Sequence, residues 1–458
     1  MKTKLMKHQI LPFEKMKKNK VGALFMEMGT GKTRVAIELI YHRLNKIDRV
    51  IWFCPVSIRS VIQKEIEKHS TLTNIIINSK TDVLSIINKK IIIVGIESMS
   101  SSNNVVLKIN KLITTKTFVI VDESHYIKGN KSIRTRRITN ISQKSKYRLL
   151  LSGTPISQGI VDLYSQMRFL SHKILKYNSF YSFSRNHLVY SKHYPGMIVN
   201  TLNKNYIANC IAPYIYQIQK SECFKLPKKI YKTYSFYMSD EQQQIYNKTK
   251  TELLMDIDIY NFKSYTLFIL FTKLQQIVSG FYMDKHELLP LNNDRLSLLV
   301  DIISNINVNE KIIIWVKYKY NINTIEKELS KLNDGISLIH GGLTSYEKDD
   351  NINKFRNENR FLIATTSCGG IGITLNECNY AIFFNNEFKY SNRLQAEDRI
   401  HRIGQNKDVY YIDIVCKNSI DVRIMDAISS KGNAVNMFKK ELEKIKHKNK
   451  KIKLLQKV

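Results

Sequence analysis

The chain has little cysteine, no long apolar run and few acids. Its six cysteines (Cys54, Cys210, Cys223, Cys368, Cys378 and Cys416) are spread over 458 residues, and no two have CxxC spacing. That excludes a disulfide framework and argues against a zinc site; reduced thiols in apolar strands are expected instead. The longest apolar stretches, such as Ile91 to Ile96, fall far short of the roughly 18 residues that a membrane-spanning helix needs. The opening MKTKLMKHQI has charges but no apolar segment behind them. No signal peptide is expected, and the expected location is intracellular and cytoplasmic. No repeat of roughly 20–50 residues runs through the chain.

Asp and Glu number 39 against 72 Lys and Arg, a net charge of +33. A protein this basic usually meets a polyanion, most often nucleic acid. The chain is also rich in Ile, Asn, Lys and Tyr, a bias that an AT-rich genome imposes whatever the function. Half of the positive excess is assigned to that source. Hydrophobic residues make up 43% and charged residues 24%, which is a globular mix and excludes a mainly disordered chain. The length suggests two to four domains at about 100–200 residues each.

Short apolar runs alternate with amphipathic helical patterns. Val50–Cys54, Ile91–Gly95, Phe118–Val121 and Arg148–Leu151 read as strands buried on both faces. Between the first two, Ile58, Val61, Ile62 and Ile66 share a helical face that Ser57 is placed to cap. The same texture returns in Ile312–Val316, Ile336–Ile339, Phe361–Thr365, Tyr380–Phe384 and Val409–Ile414. Strand and helix in alternation predict an α/β fold with two parallel sheets. The expected domains are a nucleotide-binding lobe over 1–170, a helical insertion and linker over 171–290, a second lobe over 291–430 and a basic tail over 431–458. From Phe438 to Val458 the tail carries nine Lys and two Glu, and a frayed helix or disorder is expected there.

The sharpest local signal is Gly29-Thr30-Gly31-Lys32-Thr33, after the apolar run Leu24-Phe25-Met26 and before a helical pattern of Val35, Ile37, Leu39 and Ile40. A glycine-rich turn between strand and helix lets backbone amides point at phosphates. The helix N-terminus adds partial positive charge. Lys32 is placed to reach the β and γ phosphates, and the Thr33 hydroxyl to ligate Mg²⁺. The strict pattern has Gly at the position of Met26, so the match is partial. Asp122 and Glu123 follow the run Phe118–Val121, at the site edge of a parallel sheet. Asp122 is placed to hold Mg²⁺ and Glu123 to orient and deprotonate a water. Gln395-AEDRIHRIGQ405 carries Arg399 and Arg402, three apart and expected on one helix face. Arginine suits a transferring phosphoryl group, because it is planar, always charged and multidentate.

Taken together these segments resemble the Swi/Snf-type DNA translocases of helicase superfamily two, over roughly residues 1–430. Leu5-MKHQ9 looks like the family's adenine-sensing glutamine motif. Cys54-PVS57, Ser152-GTP155, Gly369-GIGITL375 and Gln395–Gln405 look like its motifs Ia, III, V and VI. Leu226-PKK and Ser239-DEQQQIY resemble its inter-lobe segment. The resemblance implies two tandem RecA-like lobes and an ATP- and Mg²⁺-dependent, DNA-stimulated ATPase that moves along DNA, in the manner of a duplex translocase. Arg399 and Arg402 would be its arginine fingers. Gln9, Gly29, Thr30, Gly31, Lys32, Thr33, Gly370 and Gln395 would bind the nucleotide. Ser57, Thr154, Ser367 and Thr374, at strand ends, suit phosphate contacts that do not read bases.

The sequence departs from the family in three places: Met26 replaces an Asp, Lys348 an Arg, and Asn385-NEFKYS391 a segment that normally carries Trp-Asn-Pro. No chromatin-reading or nuclease-like appendage is recognisable, so a compact, phage- or virus-like version is expected. Its partners would be DNA and, among proteins, those of replication or recombination. Basic stretches at Arg134–Arg137, Lys228–Lys232 and the tail can add sequence-independent affinity. The competing readings are a strand-separating helicase and a non-hydrolysing DNA scaffold or loader.

Overall fold

The computed structural model describes residues 1–81, 84–153, 155, 159–191, 198–255, 264–284, 287–366, 374–435, 437–438, 441 and 454. The chain divides into two compact units, Met1–Lys225 and Leu226–Val458. Each is built on a parallel sheet, as the doubly buried apolar runs predict.

In the first unit the strands are β1 (Val21–Met26), β2 (Val50–Cys54), β3 (Asn74–Ile77), β4 (Ile91–Gly95), β5 (Phe118–Val121), β6 (Tyr147–Leu151), β7 (Leu188–Tyr190), β8 (Ile198–Thr201) and β9 (Ile215–Ile218). Seven of them form one sheet in the order β3-β4-β2-β5-β6-β1-β9, with every neighbouring pair parallel. Alternate residues enter two separate cores. Leu24, Met26, Trp52, Cys54 and Ile120 pack on one side, and Phe25, Ile51, Phe53, Val119 and Val121 on the other. Burying each such side chain contributes about 1.5–3 kcal/mol. Because all seven strands run the same way, the segments that leave β1, β5 and β6 emerge at one edge of the sheet. β7 and β8 pair apart as an antiparallel hairpin.

The second unit has β10 (Lys229–Phe236), β11 (Phe281–Asp284), β12 (Glu287–Pro290), β13 (Ile312–Val316), β14 (Ile336–Ile339), β15 (Phe361–Thr365), β16 (Tyr380–Phe383) and β17 (Val409–Cys416). Its main sheet runs β10-β17-β16-β13-β15-β14, again all parallel. Ile312, Ile314 and Val316 face one core, and Ile313 and Trp315 the other.

Residues 171–290, expected to be a helical insertion and linker, divide at the boundary between the units. The helices Asp240–Met255 and Ser264–Val278 form, and the segment also supplies β9 and β10, one edge strand to each sheet. Ser57 does not cap the helix that follows it. It lies in a 3₁₀ turn, Val56–Ile58, and the helix Arg59–His69 starts without a side-chain cap. Phe438, where the basic tail begins, is buried against Phe271, with ring centroids 5.5 Å apart. Most of the tail beyond it lies outside the described residues. Cys54, Cys210, Cys223, Cys378 and Cys416 are free thiols, and Cys368 lies outside the described residues. Among the described residues no helix is long and apolar enough to cross a membrane.

Candidate nucleotide site

In the first unit β1 runs into the loop Glu27–Gly31, and the helix Lys32–His42 starts directly behind it. Gly29 and Gly31 have φ of 80° and 83°, the left-handed region that glycine enters without cost. Gly31 is also required by space, because a Cβ there would lie 2.1 Å from Gln9 Nε2. The helix has no side-chain cap and no acid in its first turn, which leaves its N-terminal amides to an incoming anion. Lys32 Nζ donates to the carbonyls of Met26 (2.9 Å) and Glu27 (3.4 Å), so the ammonium is folded back over the loop. The Thr30 hydroxyl donates to the Glu27 carbonyl at 2.7 Å and stiffens the turn. Thr33 sits in the first helical turn, half-buried.

Gln9 comes to this loop from the helix Lys7–Lys17. It is buried, its Nε2 donates to the Thr30 carbonyl (3.3 Å), and its Oε1 accepts from the Met6 amide (3.0 Å). His8 meets the same carbonyl at 2.9 Å.

Asp122 and Glu123 leave β5 two strands away from β1, across β6. Burial pushes the Asp122 carboxyl up to about 7, helped by the Glu123 charge and opposed by Lys32 and by the Glu123 amide. That amide donates to Asp122 Oδ1 at 2.9 Å. A cation bound beside such a carboxyl favours its charged form and offsets the effect of burial. Glu123 itself is left-handed, with φ 48° and ψ 56°. For a residue with a Cβ this costs on the order of 1–3 kcal/mol, and such strain concentrates at functional sites. His125 Nδ1 stands 3.3 Å from Glu123 Oε2, close enough to pair with it if the ring is protonated. Beside β5, β6 leads into Ser152 and Gly153. A Cβ on Gly153 would lie 3.6 Å from Lys32 Nζ and 3.3 Å from the Met28 amide. The structure thus brings Lys32, Asp122, Glu123 and the start of the Ser152–Pro155 loop to one edge, with Gln9 behind the glycine turn.

The expected phosphate-contact residues fare differently. Ser57 is exposed at the end of β2. Thr154, Ser367 and Gly370 lie outside the described residues. Thr374, in the second unit, is half-buried, and its carbonyl accepts from Arg356 at 2.8 Å. Of the basic stretch Arg134–Arg137, Arg137 is engaged within its own unit by the Met99 carbonyl (3.1 Å) and Asn103 Oδ1 (2.8 Å).

In the second unit Gln395 lies in the helix Tyr390–Glu397, half-buried. The helix closes at Glu397, with Asp398 as its C-cap. Arg399 and Arg402 therefore stand in successive turns, not on one helical face. The Arg399 amide donates to the Ala396 carbonyl (3.2 Å), and the Arg402 carbonyl accepts from the Gln405 amide (3.0 Å). Gln405 is buried, and its Nε2 donates to the Cys378 carbonyl at 2.8 Å, pinning the end of the segment. At the start, Glu397 Oε2 accepts from Tyr231 (2.8 Å) and faces Lys229 Nζ (3.2 Å), both on β10. Glu397 Oε1 accepts from Arg393 Nε at 2.9 Å. Arg393 also forks onto Asp413, and its guanidinium lies 3.4 Å from the Phe383 ring centroid. Asn386, within the segment that departs from the family, donates to Asp413 at 2.7 Å.

Arg393, Glu397, Asp413 and Asn386 of this cluster are buried, while Lys229 is half-buried and Tyr231 is exposed at the rim. Removing one member of such a cluster leaves charge without compensation. Arg393→Met is expected to cost about 3–5 kcal/mol, read from urea unfolding of the full chain followed by the fluorescence of Trp315. A loss below about 1 kcal/mol, the range of an exposed pair, would show that water screens the cluster.

A family model described as the SNF2-related domain matches residues 11–283, and one described as the helicase conserved C-terminal domain matches 294–404. The chain belongs to the SNF2-related family. An uncharacterized ATP-dependent helicase of Mycoplasma genitalium is 26% identical over 431 residues, covering 90% of this chain and 40% of that protein. The DNA annealing helicase and endonuclease ZRANB3 of Bos taurus is 25% identical over 442 residues, covering 91% and 39%. The chain thus spans less than half the length of either relative. Among solved structures, the Sulfolobus solfataricus SWI2/SNF2 ATPase core in complex with dsDNA is similar at 23% identity, with 97% of each chain covered and a TM-score of 0.45.

Two features at this sheet edge were not singled out in the sequence. His125 is visible in Asp122-Glu-Ser-His125, but its pairing with Glu123 depends on the left-handed turn. Gln166 lies on the helix Val161–Leu170 and reaches two of the loops at the sheet edge. No local pattern marks it, since its partners are 42 and 11 positions away in sequence.

Proposed function

We propose that the chain is an ATP-driven motor that hydrolyses Mg-ATP and moves along DNA, most readily duplex DNA and without regard to sequence. The observation that carries this reading is the convergence of Lys32, Asp122 and Glu123 at one sheet edge, in a chain whose second unit keeps the arginine-bearing segment of the SNF2-related family. The donor set fits the metal. A hydroxyl and a carboxylate are hard oxygen ligands, and Mg²⁺ keeps several waters and needs few protein groups.

In the proposed cycle Lys32 and the loop amides hold the phosphates, while Gln9 backs the adenine end of the site. Thr33 and Asp122 would hold Mg²⁺, which neutralises charge on the β and γ phosphates. Glu123 takes the proton of the attacking water, with its left-handed backbone setting its direction. Arg399 and Arg402 stabilise charge on the γ-phosphoryl group, and Gln395 and Gly370 belong to the same nucleotide-facing set. Ser57, Thr154, Ser367 and Thr374 contact the DNA backbone. Proteins of replication or recombination are the proposed partners.

The test is ATPase rate against single-stranded, duplex and forked DNA and against RNA. Duplex DNA is expected to stimulate most. Affinity should fall linearly on a log–log plot against salt, with a slope of about −0.9 per phosphate neutralised. A slope near zero would overturn backbone binding. Triplex displacement without strand separation distinguishes the translocase from the helicase, and absence of phosphate release with every nucleic acid would leave a scaffold.

A further inference from the structure

The side-chain amide of Gln166 joins the two loops that leave β5 and β6. Its Oε1 accepts from the Ser124 hydroxyl at 2.6 Å, directly after Glu123. Its Nε2 donates to the Pro155 carbonyl at 2.7 Å and to the Asp162 carbonyl at 2.9 Å. Gln166 and Ser124 are both inaccessible to solvent. Both amide protons and one oxygen lone pair are therefore used. The orientation is fixed, since the flipped amide would set its oxygen against two carbonyls. The same helix grips the carboxylate turn at its other end, where Lys128 Nζ lies 3.7 Å from Asp162 Oδ2.

We infer that Gln166 is a positioning residue: its buried amide holds the Glu123–Ser124 turn and the Pro155 end of the Ser152–Pro155 loop in one register. This rests on the motor reading given above. Glu123 sits in a strained left-handed conformation that must be held from outside. The Ser124 hydroxyl is the nearest tether on its C-terminal side, and Gln166 is where that tether ends. At the other end of this loop the Gly153 backbone lies beside Lys32 and Met28. A shift of the Ser152–Pro155 loop is thus passed to the general base through one amide. DNA contact is proposed for this loop at Thr154, so the amide lies between DNA binding and water activation. Gln166 touches neither nucleotide nor DNA in this scheme, and its effect is on stimulation.

Ser124→Ala removes one of the three bonds with little change in volume, and Gln166→Leu removes all three. The ratio of DNA-stimulated to basal kcat is expected to fall about 5- to 20-fold in each, as loss of the Ser124–Gln166 bond common to both, with a buried partner left unsatisfied, implies, with the KM for ATP within about twofold. The double variant should be no worse than the poorer single variant, because both cut the same link. A merely structural role would lower basal and stimulated rates by the same factor and leave the ratio unchanged. That result, or additive losses, overturns the inference. Hydrogen exchange on the protein without nucleotide or DNA is a second readout that does not need the motor reading. Amides 123–128 should exchange faster in Ser124→Ala than in the wild type, at equal melting temperature, and equal exchange overturns the tether even if Gln166→Leu fails to fold. A wild-type protein with no DNA-stimulated hydrolysis would sink the motor reading, whereas a stimulated wild type with an unchanged ratio in the variants sinks only this one.

Discussion

Glu123→Gln is expected to yield a protein that still binds Mg-ATP and DNA but turns over at least 100-fold more slowly. The substitution keeps the shape of the side chain and removes its ability to accept a proton. A general base supplies about 10²- to 10⁴-fold. The left-handed backbone at Glu123 sets the direction of its side chain, so little of that factor should be lost to misalignment in the wild type. The loss should fall on kcat, with the KM for ATP nearly unchanged, because Lys32, Thr33 and the loop amides are untouched. Single-turnover phosphate release with saturating duplex DNA measures it. Lys32→Ala should fail differently: the ammonium folded over the loop is gone, and both binding and turnover are lost. If Glu123→Gln hydrolyses ATP within a few-fold of wild type, the base lies elsewhere and the site assignment is wrong.

The contrast between these two residues and Gln166 shows what a sequence makes visible. A phosphate loop is legible because its geometry is local: the glycines, the lysine and the helix start are neighbours along the chain. The central strands β2, β4, β5, β13 and β15 are legible for a related reason. Both their faces are buried, so nearly every residue is apolar. The edge strands β3, β9 and β10 are not, although β14, at the other edge of the second sheet, is. β10 reads Lys-Ile-Tyr-Lys-Thr-Tyr-Ser-Phe, and five of its residues in succession are exposed, so its polar pattern carries no strand signal. The helix inferred through Arg399 and Arg402 fails because periodicity does not record where a helix stops. Here it stops at Glu397, whose side chain is taken by Arg393, Lys229 and Tyr231. Contacts made across 166 and 168 positions leave no trace in any local window.

Arg402→Ala and Arg399→Ala are each expected to lower DNA-stimulated kcat by about 10³-fold or more, the range in which an arginine finger acts on a phosphoryl transition state. The reasoning is electrostatic. Charge develops on the equatorial oxygens only as the γ-phosphoryl group leaves, so a cation meeting it there raises kcat and adds little to ground-state binding. Lysine should not rescue either position, because a point charge on a flexible stem does not reproduce the planar fork. The segment is held at both ends, by Glu397 and by Gln405 through the Cys378 carbonyl. Alanine in its middle should therefore leave the unit folded, and the urea midpoint should match wild type. The decisive comparison is DNA affinity with a non-hydrolysable nucleotide against single-turnover hydrolysis. Retained affinity with hydrolysis lost places the arginines at the transition state. Hydrolysis within about tenfold of wild type in both variants would remove them from the chemistry and leave the first unit to act on ATP alone.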